Sequence, residues 1–164
     1  MSKIVTDENR IKEVFGRYGQ AVFPSLEKAL EIFKSGRRLT FYLGIDPTGP
    51  DIHLGHVTNF LVLKKIIALG HKVILLIGDF TARIGDPTGQ DTARQPLSKN
   101  QIKENMKTYL NQVYKILPKG SMDIKYNSKW LEKMNLERVI ELESQVTVQQ
   151  MLARDMFQRR LKEE

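Results

Sequence analysis

Two histidines three residues apart, His53 and His56, flank Gly55 just after the loop Asp46-Pro47-Thr48-Gly49-Pro50 in this 164-residue chain. A helical pattern starts at His53. Both imidazoles would therefore sit on one face at a helix N-terminus, where free amides and the positive end of the dipole draw phosphate oxygens. Gly55 leaves room for a flat ring, such as adenine, to approach the backbone. A lone His-x-Gly-His is also what a packed histidine pair looks like, and its spacing admits a metal ion. His71 is the only other histidine and no further ligand cluster accompanies the pair, so no metal site is assigned. The Asp-Pro-Thr-Gly loop and the apolar run ahead of it favour a nucleotide.

The surrounding elements follow from periodicity and punctuation. Asp7 caps a first helical stretch through Val14 and Phe15, and Pro24-Ser25 opens a second with Leu26, Leu30 and Phe33 on one face and Gly36 as its stop. Residues 39–45 read as a buried strand that runs into the Asp-Pro-Thr-Gly loop. The helix from His53 to Leu69 takes its apolar contacts from Leu54, Val57, Leu61, Ile66 and Ile67. Residues 72–78 form a second strand, apolar on both faces as in a covered parallel sheet. Residues 79–96 are loop with one short helical turn. Ser98 and Gln101 make a capping box for a helix to about Leu117, with Ile102, Met106, Tyr109 and Val113 on its inner face. Residues 122–127 are a third strand, and Thr147 with Gln150 caps a last helix reaching the terminal glutamates. The fold class is α/β: a βαβαβ half of a doubly wound, Rossmann-like parallel sheet, with an amino-terminal helical segment over 1–38 and the nucleotide-binding part over 39–164.

Composition narrows the classes. With 41% hydrophobic and 27% charged residues the chain is globular rather than disordered. It lacks an apolar run long enough to span a membrane, and its first residues resemble neither a secretory signal nor a transit peptide. The absence of cysteine excludes disulfides, thiolate metal sites and a cysteine nucleophile, and suits the cytoplasm. A net charge of +7 suits a polyanionic partner, although solvated lysines alone also produce it.

The run Tyr42-Leu43-Gly44-Ile45-Asp46-Pro47-Thr48, the His53-Leu54-Gly55-His56 signature, and Leu76-Ile77-Gly78-Asp79-Phe80-Thr81-Ala82-Arg83-Ile84-Gly85-Asp86-Pro87-Thr88-Gly89 together resemble the bacterial tyrosyl-tRNA synthetases, a family of class I aminoacyl-tRNA synthetases. The likeness extends from about Leu26 to the end. Tryptophanyl relatives share the Pro-Thr-Gly and histidine loop but not the Tyr42 context or the segment 84–87. The resemblance implies a ligase of translation that activates L-tyrosine with ATP and transfers it to tRNA(Tyr). It implies catalytic roles for Thr48, His53 and His56, the first two hydrogen-bonding the departing pyrophosphate. It implies that Gly44 and Asp46 position the adenylate, that Gly55 and His56 face the nucleoside, and that Arg94 belongs to a basic segment closing over the pyrophosphate. Tyr42 would read the phenolic hydroxyl of tyrosine and Asp86 its ammonium group, with Thr81 and Asn127 as further pocket residues. Read without the resemblance, Tyr42 is also compatible with a core tyrosine, Asp86 with a turn before Pro87, and Thr48 with a loop cap. Gln90 stands where many relatives carry lysine, which removes a cation from that loop.

The resemblance further implies ATP as substrate, accompanied by Mg2+, with no tightly bound cofactor. It implies a homodimeric, cytoplasmic whole protein without membrane association. The family's Tyr-x-x-x-Gln-x-x-Asp helix, its lysine loop and its anticodon-binding region have no counterpart before Glu164. The expectation is therefore the amino-terminal half of a catalytic domain, holding three strands of a 3-2-1-4-5 sheet and inactive alone. Two other readings stay open at this point: a small His-x-Gly-His nucleotidyltransferase, and a non-catalytic nucleic-acid-binding relative of the synthetases.

Overall fold

Three parallel strands organise the computed structural model, which describes residues 3–16, 22–84, 96–154, 157, 158 and 161. Strands β1 (Thr40–Ile45), β2 (Lys72–Ile77) and β3 (Asp123–Tyr126) lie in the order β1-β2-β3. Ile45 is opposite Ile77, and Ile77 is opposite Tyr126, so all three strands end level with one another. Two long helices make the crossovers: α3 (Leu54–Ala68) between β1 and β2, and α4 (Lys99–Val113) between β2 and β3. This is the expected βαβαβ unit, with strands trimmed by a residue or so at their ends. The chain forms two compact units, residues 1–128 and 129–164.

Alternation along β2 explains the core of the first unit. Val73, Leu75 and Ile77 are fully buried and share one cluster with Phe60, Leu63 and Ile66 of α3 and with Tyr109 and Val113 of α4. Burying a side chain such as Phe60 contributes about 2 kcal/mol. The inner face of α3 differs from the expected one. Phe60 and Leu63 are buried while Leu54 is exposed, because this helix is apolar nearly all round and periodicity alone does not select a face. Gly70, at φ +90°, closes α3, and a Cβ there would come within 2.7 Å of the Lys3 carbonyl oxygen.

β1 departs from the buried strand read in the sequence. Phe41, Leu43 and Ile45 face the core, but Thr40, Tyr42 and Gly44 are exposed on the opposite face. In the order β1-β2-β3 this strand is outermost, so among the described residues only one of its edges is paired.

Helices α1 (Glu8–Gly16) and α2 (Leu26–Lys34) are capped as the sequence suggests, by Asp7 accepting from the Arg10 amide and by Ser25 accepting from the Lys28 amide. Their Ile11, Val14 and Phe33 belong to the same core as the sheet. The Phe33 ring packs edge-on to His71 at 4.9 Å. His71 Nδ1 accepts the Leu39 amide at 3.4 Å, which places the proton of the neutral ring on Nε2, and that buried atom has no partner among the described residues. Burial and then the Arg38 charge hold the His71 pKa below its ordinary 6.5. Unfolding would let this ring take up a proton the native state resists. Its contribution to stability is therefore present above pH 6.5 and is lost as pH falls through the lowered native value. Urea midpoints should decline as pH drops below 6.5, and less steeply in His71→Gln; equal slopes would remove His71 as the cause.

In the second unit, α6 (Leu136–Glu143) is capped by Asn135, whose side chain accepts the Arg138 amide. α7 (Val148–Leu152) carries the expected Thr147–Gln150 capping box. Between β3 and α6 lies a single helical turn, α5 (Ser128–Leu131). α7 does not run on to the terminal glutamates as one helix. Its end tightens through Arg154 N–H donating to the Met151 carbonyl, while the Leu152 carbonyl accepts the side-chain amide of Gln158.

Candidate active site

The level strand ends bring three polar residues together. Asp46 follows β1, Asn127 follows β3, and Thr81 opens the 3-10 turn Thr81–Arg83 beyond β2. The Asn127 amide donates to Thr81 Oγ1 at 2.9 Å, and that hydroxyl donates to Asp46 Oδ1, also at 2.9 Å. Asn127 Oδ1 accepts the Phe80 amide, so both ends of this buried side-chain amide are engaged. Thr81 and Asn127 thus form a chain that fixes one carboxylate oxygen of Asp46. Gly78 makes the approach possible. A Cβ at that position would overlap the Asp46 carboxylate and stand 2.5 Å from Thr81 Oγ1.

The loop from Asp46 to Ile52 carries Thr48, whose amide donates to the Asp46 carbonyl at 2.8 Å. It is gripped from α4. Asn105 donates to the Pro47 carbonyl, Thr108 and Gln112 donate to the Pro50 carbonyl, and Gln112 Oε1 accepts the Ile52 amide. None of these three α4 residues stands out in the sequence reading. The available signal was a polar stripe at positions 105, 108 and 112, beside the apolar stripe of Ile102, Tyr109 and Val113.

His53 is the N-cap of α3, and its ring stacks on that of His56 with centroids 3.7 Å apart and planes 19° from parallel. Gly55 permits this stack, since a Cβ there would lie 3.1 Å from two atoms of the His53 ring. The glycine therefore makes room for the histidine itself, in addition to the expected clearance for a ligand. His56 Nδ1 accepts the His53 amide, and the ring meets Tyr109 edge-on at 6.2 Å. Burial, then the neighbouring His53, lowers the His56 pKa from 6.5. At neutral pH His56 is accordingly an uncharged ring that offers Nε2–H to an oxygen. Burial and the charge of Asp46 push the Tyr109 phenol up to about 12, so it stays protonated beside the loop.

Tyr42 and Gly44 lie on the open face of β1, paired in register with Ile74 and Leu76. Tyr42 is 75% exposed, which rules out the core-tyrosine reading, and it stands in mid-strand rather than at the strand's carboxyl end. Gly44 has open space where a side chain would project. Asp86 and Arg94, together with Gln90, lie outside the described residues.

An open parallel sheet with a loop and a helix N-terminus beyond its carboxyl ends is a nucleotide-binding arrangement. The family model for tRNA synthetases class I (W and Y) matches residues 34–164, and the chain belongs to that family. Its relatives narrow the match. The chain is 47% identical over 136 residues to tyrosine–tRNA ligase 2 of Clostridium acetobutylicum, covering 83% of this chain and 34% of that protein. It is 47% identical over 137 residues to the tyrosine–tRNA ligase of Aquifex aeolicus, covering 84% and 35%. The chain thus spans about a third of the length of these curated relatives. Among solved structures, a C-terminally truncated mitochondrial tyrosyl-tRNA synthetase of Aspergillus nidulans superposes with a TM-score of 0.77 at 26% identity, over 95% of this chain and 50% of that one. Among the described residues no helix is long and apolar enough to cross a membrane.

Proposed function

We propose that this chain supplies the first part of the active centre of a tyrosine–tRNA ligase, which joins L-tyrosine to ATP as tyrosyl-adenylate and transfers it to tRNA(Tyr). The observation that carries the reading is the stacked His53–His56 pair at the N-terminus of α3, which follows the loop leaving β1, the strand that carries Tyr42 and Gly44 on its exposed face. One half of that arrangement suits a triphosphate, the other a flat phenolic side chain. The substrate carboxylate attacks the α-phosphorus and pyrophosphate leaves. The nucleophile is already ionised, so the protein positions the reactants and stabilises developing charge rather than removing a proton. Thr48 and His53 donate to the pyrophosphate oxygens, and neutral His56 and the Gly55 backbone face the nucleoside. Gly44 and Asp46 position the adenylate, and Arg94 closes over the pyrophosphate. Tyr42 and Asp86 read the tyrosine hydroxyl and ammonium, bordered by Thr81 and Asn127.

Magnesium enters this reading with ATP. Among the described residues no group of three or more His, Cys, Asp or Glu is placed to ligate a metal, so the phosphate oxygens would be its main ligands. The residue division at 38/39, a homodimeric whole protein and a cytoplasmic location belong to the same reading, and the net charge of +7 suits the tRNA.

Tyrosine-dependent ATP–pyrophosphate exchange by the protein carrying this sequence is the direct test, and its absence would refute the ligase reading. Tyr42→Phe should lower the kcat/KM preference for tyrosine over phenylalanine about tenfold, because the substrate hydroxyl loses a hydrogen-bond partner. An unchanged ratio would make Tyr42 a framework residue.

A further inference from the structure

We infer that Asn105, Thr108 and Gln112 of α4 act as positioning residues for the nucleotide loop, setting Thr48 and His53 in register for adenylyl transfer. This rests on the ligase reading for its catalytic consequence.

Within the loop the Thr48 amide donates to the Asp46 carbonyl, but the carbonyls of its two prolines are satisfied from outside it. Pro47 and Pro50 have no N–H to donate, and neither belongs to a strand ladder that would satisfy its carbonyl. Pro47 is fully buried, so its carbonyl needs a protein donor, and Asn105 Nδ2 supplies one at 3.0 Å. The Pro50 carbonyl takes two, from Thr108 Oγ1 at 2.7 Å and Gln112 Nε2 at 2.8 Å. Gln112 then uses its other end, with Oε1 accepting the Ile52 amide at 3.2 Å. The loop is therefore pinned at residues 47, 50 and 52. Thr48 follows the first pin and His53 follows the last. The spacings of three and four residues place the three side chains along one stripe of α4, and that helix is anchored by Ile102, Tyr109 and Val113 in the core. All three grips are uncharged, so they fix the loop without placing a carboxylate beside the incoming phosphates. A misplacement of about 1 Å in such a loop is enough to cost a large factor in rate.

The test combines amide hydrogen exchange with steady-state kinetics. In Gln112→Ala the Ile52 amide should exchange at least about tenfold faster, while the Leu75 and Ile77 amides of β2 keep their protection. Thr108→Val should lower kcat for adenylate formation about tenfold with KM for tyrosine unchanged, and Thr108→Ser should restore it. If Gln112→Ala does not fold, Gln112→Glu replaces it; this variant keeps the acceptor for Ile52 and loses the donor to Pro50, so Ile52 should stay protected while kcat falls. An unaltered Ile52 exchange rate in Gln112→Ala, loss of β2 protection in step with Ile52, or full kcat in Thr108→Val would each overturn the proposal. Absence of pyrophosphate exchange in the unaltered protein would instead refute the ligase reading and leave amide exchange to judge the grip.

Discussion

His53→Ala should slow adenylate formation by about tenfold or more while leaving the dissociation constant for tyrosine unchanged. The reasoning starts from where the ring is. His53 caps α3 in extended backbone, exposed and stacked on His56, at the end of a loop pinned from α4. In the proposed reading it donates to the phosphates, and Tyr42 on the exposed face of β1 serves the amino acid. Charge accumulates on the pyrophosphate only as its bond to the α-phosphorus breaks, so a donor at that point acts on the transition state more than on the bound substrates. The substitution also has a spectroscopic signature. Since the neighbouring His53 helps lower the His56 pKa, removing it should move the His56 titration back up toward 6.5. Rapid-quench measurement of adenylate formation and a binding isotherm for tyrosine separate the two effects. Equal losses in rate and tyrosine affinity would assign His53 to the integrity of the site instead.

The parts of this fold that were legible in the sequence are those written in local chemistry. Ser98 with Gln101 and Thr147 with Gln150 announce their helix starts because a capping box is a reciprocal bond between residues three apart. The apolar run of β2 announces an inner strand: it pairs with β1 on one edge and β3 on the other, and its Val73, Leu75 and Ile77 are buried against the helices. β1 misleads: its composition suits a central strand, whereas among the described residues one of its edges is unpaired and Thr40, Tyr42 and Gly44 are exposed. α6 has a local signal too, since Asn135 ahead of Leu136, Val139 and Ile140 carries the pattern of a capped amphipathic helix.

At the site, His53, Gly55 and His56 could be read from type and spacing, since the helix start that presents them is local. The chain from Asn127 through Thr81 to Asp46 could not, because it joins residues 46 and 35 positions apart through the level ends of three strands. The α4 grip was hidden for the same reason, at separations of 58 and more. Polar side chains on a helix ordinarily read as a solvated face until a loop with unpaired carbonyls is seen against them.

Gly78 shows how a residue inside a recognisable motif can owe its identity to a partner far away in sequence, and Gly78→Ala should be the more damaging of the two substitutions argued here. Its amide donates to the Ile45 carbonyl at 2.9 Å, continuing the β1–β2 ladder one step beyond the strands, so the backbone cannot back away without breaking that bond. The added methyl would occupy the position of the Asp46 carboxylate, and the Thr81 hydroxyl 2.5 Å away blocks the adjacent escape. Asp46 must then swing out. Its bond from Thr81 is lost, the chain from Asn127 then ends at the Thr81 hydroxyl, and the start of the nucleotide loop shifts with Asp46. A displacement of that kind beside the reactants should lower adenylate formation by about a hundredfold in the proposed ligase. The sheet itself, held by Val73, Leu75 and Ile77, should survive, leaving far-ultraviolet circular dichroism near that of the unaltered protein. A double-mutant cycle tests the cause. In an Asp46→Ala background the methyl no longer meets a carboxylate, and the Thr81 hydroxyl, released from Asp46, can rotate away from it, so Gly78→Ala should add little further loss. If the two losses simply multiply, the damage runs through the backbone at Gly78 and not through Asp46.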